Sequence, residues 1–136
     1  DPSTDPRWSK KPRVLRTDDG RAELWVCATD AELKETGTTV KAGGIIDSWQ
    51  SGVIQYVHRE GGPAITQQWT RPDAHGRFEE FWIRFGERHR EDGPAHTMFD
   101  MDGEVAEQTW YTHGVETKRE GDFPAALEKN LKAKSP

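Results

Sequence analysis

The stretch His58-Arg59-Glu60-Gly61-Gly62-Pro63-Ala64 returns 31 residues later as His89-Arg90-Glu91-Asp92-Gly93-Pro94-Ala95. Lys118-Arg119-Glu120-Gly121-Asp122-Phe123-Pro124-Ala125 is a looser third copy with one extra residue. Self-similarity at a fixed spacing governs architecture more strongly than local propensity does. Working outward, each unit reads as a charged turn ending in Gly-Pro-Ala, a strand, a turn with Asp and Gly, and a second strand bearing Trp. A short Gly turn closes it. In the first unit these are Ile65–Trp69, Asp73-Ala74-His75-Gly76, Arg77–Phe85 and Gly86. In the second they are Ala95–Phe99, Asp100-Met101-Asp102-Gly103, Glu104–Thr112 and Gly114. Strand, turn and strand at short regular spacing predict an antiparallel meander rather than a parallel sheet.

Upstream, Arg13–Arg16 and Arg21–Ala28 flank Thr17-Asp18-Asp19-Gly20, and Asp-Gly tolerates the positive φ of a tight hairpin turn. Ala22, Leu24 and Val26 fall on one face of the second strand, with Glu23, Trp25 and Cys27 on the other. Residues 29–34 read as a helical turn capped by Thr29 or Asp30. Thr38–Ala42 and Val53–Val57 read as strands. Residues 1–12 hold three prolines and no apolar periodicity, so a flexible or extended lead-in is expected. At the other end Asp122 caps, Pro124 fits a first turn, and Phe123, Leu127 and Leu131 form one stripe of a short helix. The expected fold is mostly β: one domain over 13–136, a meander of about eight to ten strands closed by a C-terminal helix that covers the last apolar face.

Hydrophobic and charged residues each make up 32% of the 136-residue chain, so the fold is thin. Six Trp, five Phe and two Tyr still argue against disorder. A net charge of −5 argues against nucleic acid or an anionic membrane as the main partner. The lone Cys27 excludes an internal disulfide and a cysteine-based zinc site, which makes a reducing cytoplasm the expected compartment. No run is apolar enough to span a membrane, and none reads as a signal peptide. The chain starts at Asp1 without a Met, which leaves open a segment trimmed ahead of it.

The units resemble a variant of the MORN-type β-hairpin repeat, in the longer form marked by His-Arg-Glu-Asp-Gly-Pro-Ala and found in bacterial and phage proteins. The resemblance covers roughly 52–125 and is sharpest at His89–Ala95. It implies a binding scaffold rather than a catalyst, and some proteins of this kind carry antitoxin or immunity labels.

Two constellations carry the functional expectations. On the Arg77–Phe85 strand, Phe81, Ile83 and Phe85 alternate onto a core face, leaving Phe78, Glu80, Trp82 and Arg84 opposite. A Trp between a carboxylate and a guanidinium is the mixture enriched at protein interfaces. The expected partner-binding face is therefore Trp69, Trp82, Arg84, Trp110 and Tyr111. The competing reading packs Trp82 on a neighbouring strand while Arg84 lies along the surface. The second constellation is the His-Arg turn itself. His58, Arg59, His89 and Arg90 are the alternative pocket residues, for a small ligand or for hydrolysis. An element duplicated in each unit is more often structural, since an active site is usually built once.

His58, His75, His89, His96 and His113 lack the helical spacing or cysteine pairing of a zinc site. Cys27 has no nearby histidine, no phosphate loop or dinucleotide fingerprint occurs, and no cofactor is expected. The partner is expected to be another protein, with self-association through edge strands left open.

Overall fold

A computed structural model describes residues 2–17, 22–41, 44–46, 52–68 and 78–134. The chain is mostly antiparallel β with one C-terminal helix. The main sheet is built from β1 (Arg13–Arg16), β2 (Ala22–Val26), β5 (Ile65–Gln68), β6 (Phe78–Phe81), β9 (His96–Phe99), β10 (Val105–Thr112) and β11 (Val115–Gly121). Their spatial order is their chain order, and every neighbour is antiparallel, as the unit pattern predicts. Two excursions interrupt the meander. Between β2 and β5 lie helix α1 (Asp30–Glu35), the pair β3 (Thr39–Lys41) and β4 (Gly44–Ile46), and a 3-10 turn. Between β6 and β9 the chain forms a small hairpin, β7 (Ile83–Arg84) and β8 (Glu87–Arg88). The Asp19-Gly20 turn, the Asp73–Gly76 turn and Trp69 lie outside the described residues.

Alternation places Ala22, Leu24 and Val26 of β2 inward. They join Val53, Val57, Ala64, Ile65, Phe81 and Ile83 in one apolar cluster beneath the first half of the sheet. Further along, the same face turns polar. Gln67 Nε2 donates to Glu79 Oε1 at 2.7 Å, and His96 Nε2 meets the other Glu79 oxygen at 3.0 Å. The His96 ring lies flat on Phe81, 4.1 Å between centroids. A buried carboxylate partnered at both oxygens satisfies the condition for leaving water.

Helix α1 starts at Thr29 with a full capping box: Thr29 Oγ1 accepts the Glu32 N–H and Glu32 Oε1 accepts the Thr29 N–H. Helix α2 (Phe123–Lys134) is capped by Asp122 Oδ1, which accepts the Ala125 N–H. Phe123 and Asn130 are buried, and Leu127 and Leu131 half-buried on the same side. Asn130 ties the helix to the β9–β10 turn, accepting the Met101 N–H at 3.0 Å and donating to Asp102 at 3.2 Å.

Three local expectations change. Val53–Tyr56 is a 3-10 turn rather than a strand, entered through Gly52 at φ +86°. A short apolar run has the same periodicity in either form. Here Val53 and Val57 both reach the core, and only Val57 bridges to Val26. The strand read as Arg77–Phe85 breaks at Trp82, and Phe85-Gly86 turns the chain through two positive φ values, +50° and +77°. Phe85 is thus a turn residue, with the left-handed pair that suits a two-residue hairpin. The segment before β1 takes two 3-10 turns, Pro2–Thr4 and Pro6–Ser9. Asp5 caps the second by accepting the Arg7 N–H.

Candidate functional site

The duplicated motif builds the same latch twice. In each, histidine Nδ1 accepts a backbone N–H from the turn that follows β7 or β10. His58 receives it from Phe85 at 2.9 Å and His89 from His113 at 3.0 Å. The ring then stacks on that residue's own ring, with centroids 4.4 Å apart in both latches. Phe85 and His113 each carry positive φ and each precede a Gly that does too, so the histidine holds the hairpin at its tightest point.

The arginine closes the other side. Arg59 lies 4.0 Å above the Trp25 ring and donates to the Pro63 carbonyl at 3.1 Å. Arg90 lies 3.8 Å above Trp82 and donates to the Pro94 carbonyl at 3.2 Å. Gly62 and Gly93 leave room for this packing: a Cβ would come within 2.7 and 2.9 Å of the respective guanidinium carbon, so the arginine would have to shift off its Trp. Ala64 and Ala95 are fully buried. Each donates to the strand on one side and accepts from a Trp N–H on the other. In the third copy Lys118 lies 4.7 Å over Trp110, while Arg119 turns to Glu116 instead.

His58, Arg59, His89 and Arg90 are thus committed chiefly to partners within the fold. Burial also lowers the tendency of His58 to protonate, against the opposing pull of Glu60 and with a smaller push from Arg84. Burial likewise raises the Glu80 carboxyl, partly offset by Arg90.

Between the two latches the surface opens into adjoining clefts of about 440 and 360 Å³. Arg84, His89, Glu60 and Glu91 border both. The larger reaches Phe85, Glu87, His113 and Ser3, and the smaller reaches Trp82 and the Arg59 and Arg90 turns. Arg84 stands 3.6 Å from Glu60 and 3.8 Å from Glu91, and His89 Nε2 is 3.6 Å from the same Glu91 oxygen. Because His89 Nδ1 accepts the His113 N–H, the proton of the neutral ring sits on Nε2. That N–H and the Nε–H of Arg84 are buried donors that find no hydrogen-bond acceptor among the described residues. Both are held beneath the exposed Glu60 and Glu91 carboxylates.

Trp82 and Arg84 from the expected interface therefore meet His89 and Arg90 from the expected pocket in one place. Trp110 lies further along the sheet under Lys118. Tyr111 is on the other side, since Arg88 reaches both its ring and Phe81, at 5.6 and 5.7 Å. Arg7, Trp8, Glu87 and Glu91 also shape the region. Their only sequence signal was an aromatic in a Pro-rich stretch and acids beside the repeated turns.

Among the described residues no group of three His, Cys, Asp or Glu is arranged to hold a metal ion. No helix there is long and apolar enough to cross a membrane. No family model, curated protein or solved structure matches the chain.

Proposed function

We propose that the chain is a non-enzymatic interaction module that receives a segment of a partner protein in the double cleft between its two His-Arg turns. The observation that carries this is the sharing of Arg84 and His89 by two adjoining clefts. Both are rimmed by carboxylates, and the smaller one is flanked by the half-buried Trp82. An aromatic anchor ringed by charges is a composition favoured at protein interfaces. The Nδ1 atoms of His58 and His89 and the guanidiniums of Arg59 and Arg90 are spent on backbone and ring contacts. That weighs against the hydrolytic alternative. An inhibitor, antitoxin or immunity-type protein, as the MORN-like resemblance implies, would work through such a surface.

The test is affinity purification of the tagged chain from its host, read by mass spectrometry for proteins and for released small molecules. A stoichiometric protein partner that is lost with Arg84→Ala and weakened with Trp82→Phe, in variants that keep the wild-type melting profile, supports the reading. A co-purifying metabolite without a protein partner overturns it.

A further inference from the structure

The two latches differ in what lies over them. Over the first, the N-terminal turn delivers Trp8, whose ring sits 5.6 Å from His58 and 5.8 Å, edge-on, from Phe85. The adjacent Arg7 donates to the Gln55 carbonyl at 3.1 Å and lies 5.6 Å from the Tyr56 ring. Over the second, the corresponding His89–His113 stack has no third ring among the described residues. The His113 side chain is 68% exposed, and the larger cleft opens there.

The positions correspond closely enough to ask what would fill it. Gly86 N–H donates to the Val57 carbonyl at 2.9 Å, and Gly114 N–H donates to the Arg88 carbonyl at 2.8 Å. Val57 therefore matches Arg88, and the preceding Tyr56 matches Glu87. Where the first latch offers Arg7 an aromatic face, the second offers a carboxylate, 3.4 Å from His113. Glu60, Glu87 and Glu91 surround the cleft against one arginine, Arg84, whose charge Glu60 and Glu91 already face. The rim favours a cation, and the open ring stack favours an aromatic plane.

We propose that the cleft at the His89–His113 pair docks a partner-protein segment presenting an aromatic side chain next to an arginine or lysine. The inference rests on the interaction reading above and names the chemistry of its partner. The aromatic lies against His113 as Trp8 lies against Phe85, and the cation reaches Glu87. The buried His89, 5% exposed, holds the ring pair in place through its backbone bond to His113.

The probe is an acetylated, amidated peptide with the sequence of residues 5–9, Asp-Pro-Arg-Trp-Ser. It is titrated into the isotope-labelled full chain and followed by backbone amide shifts. Saturable shifts at Glu87, His113 and Gly114 are expected. Affinity should fall about tenfold when the peptide Trp becomes Ala, and about threefold for Glu87→Gln, the range of an aromatic anchor and of one exposed ion pair. Shifts confined to Phe85 and Gly86, showing that the peptide only competes with Trp8, overturn the proposal. Equal binding of the Trp-less peptide does the same. Concentration-dependent dimerisation abolished by Trp8→Ala assigns the cleft to a second copy and overturns a partner-protein source. A protein partner that depends on Arg84 but leaves His113 unshifted sinks this inference while sparing the broader interaction reading. A bound peptide with no protein partner in the host does the reverse.

Discussion

The first and second latches use the same five residue types in the same roles, yet among the described residues only the first has a third ring over it. His58 and His89 hold a hairpin N–H, Arg59 and Arg90 cover a Trp, and Gly, Pro and Ala set the turn between them. The apolar cluster lies under the first, whereas the second stands over Thr109 and the polar His96–Glu79–Gln67 group. What is repeated is framework. What is not repeated, Trp8 against an open cleft and Tyr56 against Glu87, is where the two halves are free to do different things.

The sharpest way to break that comparison is at one buried residue beside each latch. Leu24 belongs to the apolar cluster under the first, Thr109 accepts the Ala95 N–H of the second through its carbonyl, and both are buried. Leu24→Ala empties part of the apolar cluster and is expected to cost about 2–5 kcal/mol. Thr109→Ala removes one hydroxyl and a methyl from a polar neighbourhood and is expected to cost about 1 kcal/mol. Urea unfolding of both variants reads the difference. Equal losses would mean that stability is spread evenly across the sheet.

Next in size is the histidine itself. His58→Ala strands the Phe85 N–H beneath Trp8 and removes a ring from a three-ring cluster, for an expected loss of about 1–3 kcal/mol. His89→Ala frees the N–H of an exposed turn residue, His113, which water can reach, so about 1 kcal/mol or less is expected. Thermal melts of the pair decide whether the Trp8 cover makes the first latch the stronger.

The first latch also has a pH signature. Burial holds folded His58 below its ordinary value of 6.5, so under acid conditions the unfolded chain takes up a proton that the native chain resists. Stability from this group is intact above pH 6.5 and is lost as pH falls from there through the lowered folded value. Melting temperature should drop over that interval in the parent and drop less in His58→Gln. An equal drop in both would place the sensitivity elsewhere.

Much of the framework is legible because the repeat carries it. His-Arg-x-x-Gly-Pro-Ala marks the entry to β5 and β9, alternation orients β2, and Thr29 and Asp122 announce their helices by cap chemistry. The latch was not legible, because its donor arrives from a turn 27 or 24 residues later and nothing local marks that partner. Strand β11 was hidden for a different reason. Val115–Gly121 is exposed on both faces, so it has no apolar alternation to read, and pairing with β10 alone makes it a strand. Val53–Tyr56 failed through ambiguity, and Trp8 because its context is proline-rich. The double cleft combines all of these, which explains why Trp82 and Arg84 stood apart from His89 and Arg90 until the fold joined them.

The smallest effect tests whether the third copy is a weakened version of the same device. Lys118 covers Trp110 at 4.7 Å, against 3.8 and 4.0 Å for the two arginines. A guanidinium is planar and weakly hydrated, so it stacks on a ring where an ammonium only approaches it. Arg90→Lys should therefore cost about 1 kcal/mol, since it loses the stacking on Trp82, the bond to the Pro94 carbonyl and the Nε–H bond to the exposed Asp92 carboxylate. Lys118→Arg should gain a few tenths of a kcal/mol at most, because the third copy has no Gly-Pro turn placed to receive the fork. If Lys118→Arg instead stabilises as much as Arg90→Lys destabilises, the Pro94 carbonyl and Asp92 contribute little. The stacked Trp would then be the whole of what the arginine is there to meet.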